Sequence, residues 1–150
     1  MGFASQDAAF AGMKADAGFD RVESFPVGAS GVGFGRIVGT DASGKLVNGP
    51  GTKVRGIAVH SHVGANGSAG YAQFDCASVG TRGLFWAAVT SAGTVTNDGP
   101  VKFAADGTVA DAGADTLNNA VFRSAAVTLA DGSKIAVVEL HNPFSEIPGA

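Results

Sequence analysis

The residues best placed to do chemistry are His60 and His62, two of the chain's three histidines, with Ser61 between them. On an extended strand, residues two apart point to the same side, so both imidazoles could face one metal ion. A catalytic metal site needs a third protein ligand as well. The residues that follow, Val63-Gly64-Ala65-Asn66-Gly67, contain no carboxylate, and the distant Glu139 with His141 is the only substitute. The pair therefore reads as polar groups at a strand end or an interface, and no metal or other cofactor is expected.

Other chemistries fail on spacing. No serine sits in a Gly-x-Ser-x-Gly elbow; Ser30 and Ser68 are loop serines without that context. Cys76, the only cysteine, falls on the apolar side of an alternating segment, where a buried inert thiol is expected rather than a nucleophile. Asp41, Asp98, Asp106 and Asp131 all occupy turns, where bonding to the local backbone accounts for them, and none has the alternating ligands of a calcium loop. Gly31-Val32-Gly33-Phe34-Gly35 lacks both the third-glycine spacing and the following helix of a dinucleotide fingerprint. No catalytic set survives, so an enzyme is not expected.

The elements that would position these residues are short strands. Phe34–Val38, Lys45–Val47 and Val54–Val63 are separated by Asp41-Ala42-Ser43-Gly44 and Asn48-Gly49-Pro50-Gly51. Arg21–Phe25 precedes them and ends at Pro26, which cannot donate to a ladder. Tyr71–Ser78 alternates, with Ala72, Phe74, Cys76 and Ser78 on one side. Leu84–Val89 is continuously apolar and holds Trp86, the only tryptophan, which reads as core or as an interface anchor. Thr94–Thr96 is a short run. Asp106-Gly107 and Asp131-Gly132 each join two runs as hairpins, Gly113–Asn119 reads as a loop or a helical turn, and Val121–Leu129 as a strand. The fold class is thus all-β, a jelly-roll-like antiparallel sandwich or barrel of about nine strands. Three segments are expected: residues 1–20 as an arm or a short helix over Gln6–Ala17, a β domain over 21–142, and an extended tail over 143–150.

Composition narrows the function. Hydrophobic residues make up 45% of the 150, enough for a core, whereas charged residues are only 15%, against roughly 25% in an ordinary soluble domain. A surface so low in charge suits a protein packed against neighbours. Ten scattered Lys and Arg and a net charge of −3 argue against nucleic-acid binding. No run approaches the roughly 20 apolar residues that span a bilayer, and no signal peptide is read at Met1–Phe10, so a soluble protein made in a reducing compartment is expected.

Val22-Glu23-Ser24-Phe25-Pro26, Gly33-Phe34-Gly35-Arg36-Ile37-Val38, Lys53-Val54-Arg55-Gly56-Ile57-Ala58-Val59-His60 and Gly83-Leu84-Phe85-Trp86-Ala87 together resemble the structural cement proteins of short-tailed bacteriophages, over about residues 20–142. The resemblance implies a jelly-roll-like domain on the capsid exterior, made in the host bacterial cytoplasm, clamping neighbouring major capsid protein subunits, often as a homodimer. Apolar residues at the ends and on the apolar strand (Phe3, Phe10, Met13, Trp86, Phe144 and Ile147) are the interface residues on this reading. Two other readings compete. One is a carbohydrate- or receptor-binding module of a phage fibre using Trp86, Tyr71 and loop Asp and Asn residues. The other is a cupin-type metalloenzyme resting on His60 and His62.

Overall fold

A computed structural model describes residues 9–16, 18, 20–61 and 69–144. The strands in chain order are β1 (Arg21–Pro26), β2 (Val32–Gly33), β3 (Ile37–Thr40), β4 (Leu46–Asn48), β5 (Lys53–Ala58), β6 (Gly70–Tyr71), β7 (Cys76–Val89), β8 (Pro100–Phe103), β9 (Val109–Ala110), β10 (Asp115–Phe122), β11 (Val127–Thr128) and β12 (Lys134–Phe144). Local chemistry makes the turns between them. Asp41 accepts from the N–H groups of Ser43 (2.8 Å) and Lys45 (3.0 Å), folding β3 onto β4. Asp106 accepts from both the N–H (3.0 Å) and the hydroxyl (2.7 Å) of Thr108, and Gly107 takes φ 86°, folding β8 onto β9. Asp131 holds Ser133 in the same way, with Gly132 at φ 88°, between β11 and β12. Short polar side chains that mimic a backbone turn, followed by a glycine free to take positive φ, are why the chain reverses at these places.

The fourteen-residue β7 organises the rest. Its second half pairs antiparallel with β12 from Lys134↔Val89 to His141↔Arg82. From β12 the ladder continues to β10, β8 and β9, and β9 returns to β7 through the parallel pair Val89↔Val109, so five strands close into a barrel. Inside it lie Phe85, Ala87 and Val89 of β7 with Val101, Phe103, Val109, Leu117, Phe122, Ala136, Val138 and Leu140. The first half of β7 pairs with β1 and with β5, and β5 carries β3 and β4 outward. A second cluster fills that end: Val27, Val32, Val38, Leu46, Ala58, Ala77 and Val79. Alternation along one strand thus supplies both cores, with Ala77 and Val79 to one and Phe85, Ala87 and Val89 to the other. Gly80 makes this possible, because a β-carbon there would lie 2.4 Å from the Phe85 ring.

The all-β barrel and sandwich architecture is as the sequence indicates, with twelve strands among the described residues rather than about nine. Several elements differ in detail. Residues 9–16 hold no helix. Gly12 takes φ 84°, and apart from one turn bond, Met13 N–H to the Phe10 carbonyl (3.1 Å), the backbone of this segment bonds to β7 and to His60. Tyr71–Ser78 is two strand ends around a turn, because Asp75 closes onto Ala72. This shifts the phase, so that Ala77 and Val79 point inward and Cys76 is exposed rather than buried. Gly113–Asn119 mostly joins β10 through its pairing with β8, Val121–Leu129 breaks after Phe122, and Thr94–Thr96 is not a strand. No helix among the described residues is long and apolar enough to cross a membrane.

Candidate functional site

His60 follows the end of β5, and packing fixes its surroundings. Its N–H donates to the Gly12 carbonyl (2.9 Å), and its ring lies between those of Phe10 (4.3 Å between centroids) and Phe34 (4.5 Å). Phe34 in turn meets the edge of Tyr71 at 5.1 Å, and the Tyr71 hydroxyl donates to the Val59 carbonyl (2.6 Å). His60 is thus one ring of an aromatic stack. His62 lies outside the described residues.

Glu139, the distant carboxylate considered for a metal site, is committed elsewhere. It accepts from His141 (3.1 Å) and from Arg123 (3.1 Å), and Arg123 also donates to Asp98 (2.7 Å). The His141 hydrogen bond first, and then Arg123, holds the Glu139 carboxyl below the usual glutamate range. The network borders a cavity of about 420 Å³ lined by Asp16, Arg82, Leu84, Glu139 and His141. Among the described residues no three His, Cys, Asp or Glu side chains are grouped to hold a metal.

The N-terminal segment is held by backbone bonds. The Gly12 N–H donates to the Trp86 carbonyl (2.7 Å), the Trp86 N–H to the Met13 carbonyl (2.8 Å), and the Ala15 N–H to the Leu84 carbonyl (2.9 Å). Gly12 passes so close to its neighbours that a β-carbon would sit 2.7 Å from the His60 nitrogen and 2.9 Å from the Ala58 oxygen. Of the residues assigned to an interface from sequence, Met13 and Trp86 are half-buried where this segment meets β7. Phe10 is partly exposed and Phe144 exposed, the latter opposite Asn118. Phe3 and Ile147 lie outside the described residues.

The most exposed large apolar side chain among the described residues was hidden from the sequence. Phe74, placed there in a strand, sits at the tip of the turn between β6 and β7 and is 90% exposed. It takes φ 74°, a conformation that side chains with a β-carbon rarely adopt. Three hydrogen bonds hold the turn: Ala72 N–H to the Asp75 carboxylate (2.9 Å), Asp75 N–H to the Ala72 carbonyl (3.1 Å), and Val27 N–H to the Asp75 carbonyl (3.0 Å). Beside it lies a cavity of about 330 Å³ lined by Phe34, Tyr71, Asp75, Cys76 and Ser78. The arrangement offers shape and apolar surface.

The family model described as structural cement protein (E217 gp24/Pam3 gp6) matches residues 3–141, so the match begins well before the residue 20 at which the sequence resemblance was placed. No curated protein matches the sequence. Among solved structures the chain is similar in fold to a chain from the capsid of Myoviridae phage XM1, with a TM-score of 0.72 and 23% identity over 94% of this chain and 97% of that one. A match running from the N-terminal segment into β12 takes in the residues of both cores, and on that ground the chain belongs to the structural cement protein family.

Proposed function

We propose that this protein is a capsid cement protein of a bacteriophage, which binds the outer face of the icosahedral shell and ties neighbouring major capsid protein subunits together. The observation that carries the reading is the family match over residues 3–141. The physical character of the molecule supports it. Only 15% of the residues are charged, and exposed apolar side chains (Phe10, Val22, Phe74, Val127 and Phe144) occur on several different elements. Such a protein needs complementarity repeated over many sites, where individually weak contacts add through multivalency. On this reading it works without catalysis and without a cofactor, and it acts as a homodimer. The fibre-module and metalloenzyme readings gain no support from the family match.

Co-sedimentation with empty shells tests the proposal. Saturable binding to mature shells, with a rise in the temperature at which those shells rupture, is the expected result. A protein that leaves shell rupture unchanged and stays in the supernatant is not a cement protein. Analytical ultracentrifugation of the free protein checks the dimer.

A further inference from the structure

Phe74 combines three properties that seldom coincide. It is a large apolar side chain left 90% exposed, its backbone is in the left-handed region at φ 74°, and its turn is fastened by the Ala72, Asp75 and Val27 hydrogen bonds. A glycine would relieve the backbone, and a polar residue would suit the solvent, so nothing in the fold of the free chain calls for phenylalanine here. Conformations of this kind persist where the surrounding structure imposes them, and they gather at binding and switching sites. Aromatic residues on rigid supports are also the side chains that dominate interface energies, because little freedom is lost when they bind.

We propose that Phe74 is the anchor that seats this protein on a shell subunit, by entering an apolar recess there. The proposal rests on the shell-binding reading and assigns its central contact. The chemistry around Phe74 describes the partner. Ala72, Gln73 and Pro26 are exposed and uncharged, and Asp75 turns its carboxylate onto the Ala72 N–H. The cavity bordered by Phe34, Tyr71 and Cys76 lies next to the knob, so the partner can present a side chain of its own beside its recess. A second copy of this chain is a poorer occupant. A two-fold contact with its axis at the Phe74 knob would set one Asp75 against the other, and like charges brought out of water repel strongly. The larger cavity elsewhere is rimmed by Asp16, Arg82, Glu139 and His141, ionic groups that a phenyl ring would strip of water.

The test uses the full chain and empty mature shells lacking it. Phe74→Gly should keep or raise the thermal midpoint of the free protein while weakening shell binding about tenfold or more. Phe74→Asp should abolish binding. The native Cys76 thiol, exposed two residues away, supplies an independent readout: its alkylation by a maleimide should slow at least about tenfold on shells, as for a site closed off by a partner. Wild-type affinity in Phe74→Gly, or equal alkylation of free and bound protein, overturns the anchor and leaves the cement reading standing. A wild-type dimer that Phe74→Gly converts to monomer overturns it in favour of a second copy. Failure of the wild type itself to bind shells removes the cement reading and the anchor with it.

Discussion

Glu139 stands between the Arg123 guanidinium and the His141 imidazole, and Asp106 is bonded twice by Thr108. Each carboxyl is held below its usual range, Glu139 first by His141 and Asp106 first by the Thr108 hydroxyl. A carboxyl whose folded-state pKa is depressed adds stability that is complete above its unfolded value, about 4. That stability is lost as pH falls through the lower folded value. The thermal midpoint should therefore be level above about pH 5 and fall steadily below pH 4. Glu139→Gln should flatten that acid limb in a calorimetric pH series, and a variant with the wild-type slope would show that Glu139 takes no part. Because the partners of Glu139 reach well into solvent, the effect of these pairs at neutral pH should be small. The same scale explains why Phe74 escaped the sequence. An alternating Ala72-Gln73-Phe74-Asp75-Cys76 reads as a strand, since a phenylalanine carries no turn signal, and only the Asp75-to-Ala72 closure makes it one.

At the scale of elements, the N-terminal segment completes β7 where β5 no longer reaches it. Its fit depends on Gly12, whose positive φ and lack of a β-carbon let it pass the His60 and Ala58 backbones. Gly12→Ala should loosen the segment without unfolding the barrel, seen as faster amide exchange at Trp86 and Ala15 while Phe85 and Ala87 stay protected. Uniform exchange in the variant and the wild type would mean that the segment does not depend on this glycine. Gly80→Ala should be costlier, by roughly 1–3 kcal/mol in denaturant unfolding, because its methyl group meets the Phe85 ring inside the core. The hairpins at Asp106-Gly107 and Asp131-Gly132 were legible because turn chemistry is local. The arm's extended course was not legible, because its alanine-rich sequence favours a helix and its partners, Leu84 and Trp86, are some seventy residues away. The sequence reading ends one run at Ser78 and opens the next at Leu84, yet β7 runs unbroken through Gly80 and Gly83, since glycine is what its packing needs there.

For the whole molecule, one strand joins two cores. Phe85→Ala, at a site with no exposure in the middle of the barrel, should cost about 3–5 kcal/mol. Because β7 serves both clusters, the loss should appear as one cooperative transition at lower denaturant; two separate transitions would show that the β1–β5 end folds independently. The composition reached this level correctly in its class, since low charge and frequent turns describe an all-β molecule made for packing. It could not reveal that five strands close on themselves, because closure depends on the contact of β9 with β7, which no local signal marks. That closure has a mechanical consequence. The barrel is a hoop, and around most of its circumference antiparallel ladders of two to eight residue pairs carry any stretch, the longest between β7 and β12. At one place the hoop is joined by the single pair Val89↔Val109, helped by the Thr90 N–H on the Val109 carbonyl (3.0 Å) and the Thr90 and Thr108 hydroxyls (2.9 Å). A swelling shell that pulls this clamp outward across its strands loads every ladder in series, and the seam beside Thr90 and Thr108 is where the hoop gives first.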